Sequence, residues 1–235
     1  MHKISGLTWD GGFSTRSDGN LNFWDWSAER LSQEWPKICD MAAGKDSLPR
    51  FNSQVHGNAI IEVVESSPPG LQGAGDAMVT RLPGLPIGVF TADCLPILLA
   101  GRTSVSAIHA GWKSTRQGIT GKTVGALQER FQENPSEIRA WLGPCIGACC
   151  LELGEEVPPT FWEVDAMSGA AFSRGKKWHL DLRALNVLHL IRAGVSPDHI
   201  GHIPDCTKCL SEEYFSYRGQ KGRQGSMFSF ILRKP

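Results

Sequence analysis

The chain has 235 residues, enough for a core that buries roughly 70–75% of the surface exposed by the unfolded chain, and its 41% hydrophobic and 20% charged content is globular rather than disordered. Its 24 Lys+Arg and 24 Asp+Glu cancel, which leaves no net field to gather nucleic acid or coat a membrane. The stretch from Met1 to Gly6 lacks a signal-peptide core and no apolar run approaches the ~20 residues of a membrane span, so the seven cysteines read as reduced thiols or metal ligands of a cytoplasmic protein.

In chain order, the β-branched run from Ile60 to Glu65 is the first strand candidate. Pro/Gly clusters at 66–70 and 82–86 mark loops. The runs from Ile87 to Phe90 and from Leu95 to Ala100 read as buried strands that flank Thr91-Ala92-Asp93-Cys94. Val105 to His109 is a further short strand, ended by Ala110-Gly111-Trp112. From Thr120 to Phe131, Val124, Leu127 and Phe131 recur at helical spacing, and Asn134-Pro135-Ser136 closes that helix. A second helix spans Leu182 to Ala193, with Leu185, Leu188 and Ile191 on one face and Gly194 where a helix-terminating glycine belongs. Met227 to Leu232 forms a closing strand. With strands in the majority and no repeat or convincing linker, the expectation is an α/β or α+β fold over residues 1–235: a single layered domain with mixed β-sheets flanked by helices.

Three segments place a metal-ligating side chain beside glycine or a strand end: Gln54-Val55-His56-Gly57, Ala92-Asp93-Cys94, and Ile108-His109-Ala110-Gly111. A strand terminus beside glycine lets a side chain point into a cleft while the backbone turns away. Two imidazoles and a thiolate form a known catalytic zinc set, with the fourth position left for water or substrate. Their spacing matches no local zinc code, and packing residues at strand ends are the alternative reading.

The strings Gln54-Val55-His56-Gly57, Thr91-Ala92-Asp93-Cys94-Leu95-Pro96 and His109-Ala110-Gly111-Trp112-Lys113 resemble the signature blocks of the laccase-domain family. That family was first labelled multicopper polyphenol oxidase and later described as purine nucleoside phosphorylase. Further blocks match in order: Gly11-Gly12-Phe13-Ser14, Asp76-Ala77 with Thr80, Leu142-Gly143-Pro144-Cys145-Ile146-Gly147, Asp205-Cys206-Thr207, and Phe215-Ser216-Tyr217-Arg218. The resemblance implies zinc, with copper as the alternative, held by His56, Cys94 and His109. It also implies phosphorolysis of adenosine, inosine and methylthioadenosine, with adenosine deamination beside it; the partners are then purine nucleosides and phosphate. A laccase proper needs several coppers and about ten His-rich ligands, against seven His here. A Cys94–His109 hydrolase and a zinc-stabilised binding protein are the remaining alternatives.

Around this set, Asp93 is expected to orient a catalytic water or a ligand's second nitrogen, or to serve as a turn aspartate. Arg218 and Arg223 are candidate phosphate clamps, Lys113 an anion contact, and Asp76 a cap or ribose contact. Where many relatives carry Arg, Trp9-Asp10 stands. Asp10 would repel an anion, which tilts the expectation away from phosphorolysis unless Arg16, Lys113 or Arg218 compensates. The family's Cys-Cys-Tyr-Glu becomes Cys149-Cys150-Leu151-Glu152, and its paired arginine becomes Arg218-Gly219. Cys145, Cys149 and Cys150 read as packing thiols, with a structural metal site shared with Cys206 and Cys209 as the alternative. Trp24, Trp26 and Trp35 are expected as packing anchors, and His179, His189, His199 and His202 as structural or surface residues.

Overall fold

A computed structural model describes residues 1–20, 48–154, 169–174, 176–222 and 224–235. Trp24, Trp26, Trp35, Cys39 and Arg223 lie outside these residues. The strands are β1 (His2–Ser5), β2 (Trp9–Phe13), β3 (Arg50–Ser53), β4 (Ile60–Glu62), β5 (Gly70–Ala74), β6 (Ala77–Thr80), β7 (Ile87–Thr91) and β8 (Leu95–Ala100). They continue with β9 (Val105–Ala110), β10 (Arg139–Leu142), β11 (Glu152–Leu153), β12 (Ala171–Arg174), β13 (Lys177–Leu180), β14 (Ile200–His202) and β15 (Met227–Arg233). Among the described residues the α-helices are Trp112–Arg116, Ile119–Phe131 and Leu182–Arg192. None is long and apolar enough to cross a membrane.

Among the described residues, two six-stranded sheets carry the architecture, in the orders β1-β2-β15-β7-β3-β5 and β14-β10-β8-β9-β6-β4, with a small β11-β13-β12 sheet beside them. Both large sheets are mixed: β3 runs parallel to β5 and β7, β4 to β6, and β10 to β14, while the other pairs are antiparallel. The fold is therefore the α+β arrangement of mixed sheets and helices expected from the strand-rich pattern.

Strand alternation explains the layers. Leu95, Ile97 and Leu99 of β8 and Ile108 and Ala110 of β9 pack with Ile119, Val124 and Leu127 of one helix and Leu182, Leu185 and Leu190 of another. The opposite parity (Leu98, Ala100, Val105 and Ala107) packs against Phe13, Ile87, Val89 and Ile231 of the first sheet. β8 and β9 are thus apolar on both faces, which is why their residues read as continuous buried runs rather than as alternating ones. His109 shares the parity of Val105 and Ala107, and so projects between the sheets at the end of β9.

The first strand candidate stops at Glu62 instead of Glu65. Val64 donates its N–H to the Ser67 hydroxyl (3.1 Å) and Ser67 donates to the Val64 carbonyl (2.9 Å), which closes a turn there. The helix from Ile119 ends through Gln132 in the left-handed region (φ 55°), before Asn134-Pro135-Ser136 is reached. Gly194 has φ 94° and follows the helix Leu182–Arg192 as its glycine terminator.

Candidate metal centre and pocket

Pairing of Leu95 with Ala110 and of Pro96 with His109 fixes the register of β8 on β9. Cys94, one residue before Leu95, therefore stands at the open end of the ladder beside His109. His56 arrives from the other sheet, in the loop between β3 and β4. Gln54 anchors that loop by donating to the Phe90 carbonyl (2.7 Å) and accepting from the Phe90 N–H (2.8 Å). The ligand atoms of His56, Cys94 and His109 all lie within 4.8 Å of one another. The Cys94 Sγ is 3.7 Å from His56 Nε2, and the two imidazole rings meet edge to face at 4.9 Å. A Cβ on Gly111 would sit 2.9 Å from His56 Cδ2 and 3.0 Å from Cys94 Sγ, so the glycine leaves the space these ligands share.

A single carboxylate organises the group. Asp76 is fully buried. Its Oδ1 accepts from His109 Nδ1 (2.7 Å) and from the His56 backbone N–H (2.9 Å); its Oδ2 accepts from the backbone N–H groups of Gly57 (2.7 Å) and Val55 (3.2 Å). The turn it holds carries His56 at φ 59°, a left-handed conformation that costs a non-glycine residue about 1–2 kcal/mol. The bond to Nδ1 leaves Nε2 of His109 as the nitrogen free to ligate. Of the cap and ribose roles open to Asp76, the structure shows the first: both its oxygens are committed to the loop and to His109.

Charge in this cluster is mutually supported. Burial opposes ionisation of Cys94, but the His109 charge and hydrogen bonds from both imidazoles outweigh it and bring the thiol from its ordinary 9.0 down to about 6. Burial likewise opposes a charged His109, yet the Cys94 thiolate and the Asp76 carboxylate raise it to about 9. For Asp76 too burial acts upward, and the His109 contact and the backbone N–H bonds hold it below the ordinary carboxylate value.

The group opens into a cavity of about 310 Å³ whose walls include Phe90, Trp112, Ile146, Leu151, Tyr217 and Arg218. Asp93 borders it with φ 94°, but its carboxylate is spoken for: Oδ1 accepts from Thr207 (2.7 Å) and Ser216 (2.6 Å) hydroxyls, and Oδ2 from the Arg218 N–H (2.7 Å). Asp93 thus ties the C-terminal loops to the Cys94 turn, and Asp76 occupies the place behind a ligand nitrogen for which Asp93 was a candidate. Arg218 reaches the Glu152 carbonyl (3.1 Å). Lys113 is exposed, is not among the lining residues, and lies 5.5 Å over the Trp112 ring. Tyr217, half-exposed at the rim, was present in the sequence only as part of a motif block.

Asp10 is far from this cavity. It pairs with Leu232 on β15 and lies 3.3 Å from Lys234, whereas the pocket end of β15 is Met227, opposite Thr91. Five residues of strand separate the two ends, about 17 Å. Trp9 is buried against Trp141, ring centroids 4.1 Å apart. Arg16 is also directed elsewhere, over the Phe215 ring (4.7 Å) and to the Ser211 carbonyl (3.1 Å). The expectation that Asp10 repels phosphate at the site is therefore corrected.

A second ligand group was read from the sequence mainly as packing thiols. Cys149, Cys150, Cys206 and Cys209 bring their sulfur atoms within 4.8 Å of one another, and none of the four is buried. Among the described cysteines Cys145 is the fully buried packing thiol, raised to about 12 chiefly by desolvation.

Residues 7–234 match a family described as multi-copper polyphenol oxidoreductase laccase. The Escherichia coli protein named purine nucleoside phosphorylase YfiH is 39% identical over 194 residues, covering 81% of this chain and 76% of its own. A protein named adenosine deaminase RL5, from an unknown prokaryotic organism, is 39% identical over 166 residues, 68% of this chain and 62% of its own. The crystal structure of the Bacillus licheniformis hypothetical protein YfiH superposes with a TM-score of 0.88 at 27% identity, over 96% of this chain and 93% of that one.

Proposed function

We propose, for a chain that belongs to the family described as multi-copper polyphenol oxidoreductase laccase, a zinc-dependent enzyme of purine nucleosides that carries out phosphorolysis of adenosine, inosine and methylthioadenosine, and adenosine deamination. The observation that carries this reading is the convergence of His56, Cys94 and His109 on one point of a cavity walled by Tyr217 and Arg218. The names of the E. coli and RL5 relatives support the substrate class.

The donor set fits zinc: two imidazoles and a thiolate, with His109 oriented from behind by a carboxylate. When bound, zinc supplies a Lewis-acid charge and the means of generating a nucleophile at neutral pH. The chain's own groups then have distinct tasks. Asp76 holds His109 in one tautomer and keeps His56 in its strained turn. Tyr217 and Trp112 offer ring faces to a purine. Arg218, its backbone fixed by Asp93, supplies the cation that phosphate needs. The cavity volume is at the lower end of the ~300–1,000 Å³ typical of small-molecule sites, which suits a nucleoside. With Asp10 remote and Arg218 in the wall, phosphorolysis is no longer disfavoured on charge.

The same three ligands also suit copper. Among the described residues, however, they are the one histidine-bearing group, so the several coppers of a laccase have no second histidine set.

The test is metal analysis of the purified protein, with product analysis on adenosine, inosine and methylthioadenosine, with and without phosphate. The reading expects zinc, free base plus ribose 1-phosphate (methylthioribose 1-phosphate from methylthioadenosine) when phosphate is present, and inosine from adenosine; the Cys94→Ser variant should lose all of these products. A zinc-loaded protein that turns over none of these nucleosides, or full turnover after chelation, would sink it.

One observation favours a second reading. Cys94, His109 and Asp76 are arranged as thiolate, imidazolium and carboxylate, the order of a Cys-His hydrolase. Chelation separates the two, since it would abolish the zinc activity and release this one.

A further inference from the structure

We infer that Cys149, Cys150, Cys206 and Cys209 form a second metal site, a closed tetrathiolate zinc site that staples the loop after β10 to the loop after β14. The four sulfur atoms all lie within 4.8 Å of one another, with Cys149–Cys209 at 3.7 Å and Cys150–Cys209 at 3.5 Å. A tetrahedral site with Zn–S bonds of about 2.3 Å has sulfur–sulfur edges of about 3.8 Å. The Cys149–Cys209 and Cys150–Cys209 separations match those edges and are far beyond the ~2.05 Å of a disulfide bond.

Packing does not explain the arrangement. A packing thiol is among the most buried of side chains, as Cys145 is, yet Cys149 and Cys209 are exposed and the other two half-buried. Cys150 and Cys206 pack in part against the main core, but packing gives no reason for the exposed Cys149 and Cys209 to gather with them.

The local backbone suits thiolates. In the turn Cys206-Thr207-Lys208-Cys209, the Leu210 N–H donates to the Cys206 carbonyl (3.0 Å), so the chain curls around the Cys206 sulfur. The Gly147 N–H, from the opposite loop, donates to that sulfur at 3.2 Å. A Cβ on Gly147 would lie 3.2 Å from both Cys149 Sγ and Cys206 Cβ, so this approach is kept open by a glycine.

The two loops are already in register. Cys145 and Cys206 form a parallel β-bridge, and the Thr207 N–H donates to the Cys145 carbonyl (3.1 Å). Beside the cysteines, one loop contributes Ile146 and Leu151 to the pocket wall, and the other contributes Thr207, which bonds Asp93 next to Cys94. Four protein ligands leave no open position, so the site is structural. It holds the pocket wall and does not take part in the chemistry. A soft, all-thiolate tetrahedral set selects zinc over harder cations.

The experiment counts zinc and reads its neighbours in the full chain, expressed with zinc and purified under reducing conditions. X-ray absorption on the Cys94→Ser variant, in which the first group is broken, should show one zinc per chain with sulfur neighbours only, at about 2.3 Å. The Cys149→Ser/Cys209→Ser double variant should lose this all-sulfur zinc and have a lower melting temperature. If the double variant does not fold, the Cys94→Ser result alone decides. A Cys94→Ser protein that is folded but zinc-free, or whose zinc has nitrogen or oxygen neighbours, overturns the inference. The count does not depend on nucleoside turnover. If His56, Cys94 and His109 hold no zinc, wild type and Cys94→Ser both carry one all-sulfur zinc, and the tetrathiolate site stands while the first reading fails.

Discussion

Replacing Asp76 by Asn isolates the residue that builds the candidate metal centre without touching a ligand. The carboxylate accepts four hydrogen bonds of 2.7 to 3.2 Å, two at each oxygen. An asparagine has one acceptor oxygen. If that oxygen faces His109 and the His56 N–H, its amide N–H2 meets the Gly57 and Val55 N–H groups, donor against donor; the flipped amide abandons His109 and His56 instead. Either orientation loses two hydrogen bonds to a charged acceptor, at about 1.5–3 kcal/mol each. Relaxation of the exposed His56 side of the loop recovers part of this, so about 3 kcal/mol of stability should be lost. The loop also loses the anchor that keeps His56 at φ 59°, and losing the group that orients a ligand from behind lowers metal affinity about 10–100-fold. Urea unfolding of the metal-free protein reads the first quantity, and zinc competition with a chromogenic chelator reads the second. An Asp76→Asn protein that matches wild type in both would refute the claim that this carboxylate sets the geometry of the group.

Three further outcomes follow from named contacts. In metal-free protein, peptide mapping after iodoacetamide treatment should show Cys94 half-reactive near pH 6, as its lowered thiol requires, instead of near the ordinary 9.0, and zinc should protect it; a midpoint at the ordinary value would remove the His109–Cys94 charge pairing. Glu133 accepts from the N–H groups of Arg102 and Thr103 and the hydroxyls of Thr103 and Ser104, all at 2.8–2.9 Å; burial acts upward, but these donors hold it below its ordinary 4.5. Because its folded value is depressed, its contribution is present above about pH 4.5 and lost as the pH falls through the folded value, so Glu133→Gln should be about 1.5–3 kcal/mol less stable at neutral pH and lose this part of the acid dependence, and equal unfolding curves at pH 7 would contradict it. Tyr217→Ala should raise the KM for adenosine about fivefold or more with a smaller change in kcat, since stacking on a base contributes ~1–3 kcal/mol; an unchanged KM places the purine elsewhere in the cavity.

Much of the scaffold is legible in the order of residues alone. β8, β9 and β15 are largely apolar, almost wholly buried runs because both their faces are covered, and the helices Ile119–Phe131 and Leu182–Arg192 show their buried stripe at helical spacing. Strands β1, β2, β3 and β5 give no such signal. β1, β3 and β5 expose or half-expose much of their length, and β2 and β5 carry glycines, so neither periodicity nor β-branching marks them. The order of motif blocks brings His56, Cys94 and His109 together as a hypothesis.

What surrounds those three residues was decided by tertiary structure alone. Asp76 is 20 residues from His56 and 33 from His109, and nothing local distinguishes a carboxylate that will sit behind an imidazole from one that will touch a sugar. Asp93 meets the Arg218 N–H across 125 residues, and Cys149 meets Cys209 across 60. Asp10 misled because nearness to a glycine motif in sequence says nothing about which end of a strand faces the pocket. Periodicity and turn chemistry act over a few residues and are written into the chain. Convergence depends on strand register, on the sheet each loop crosses to, and on the layer that covers it, and those are set only when the two sheets and their helices pack.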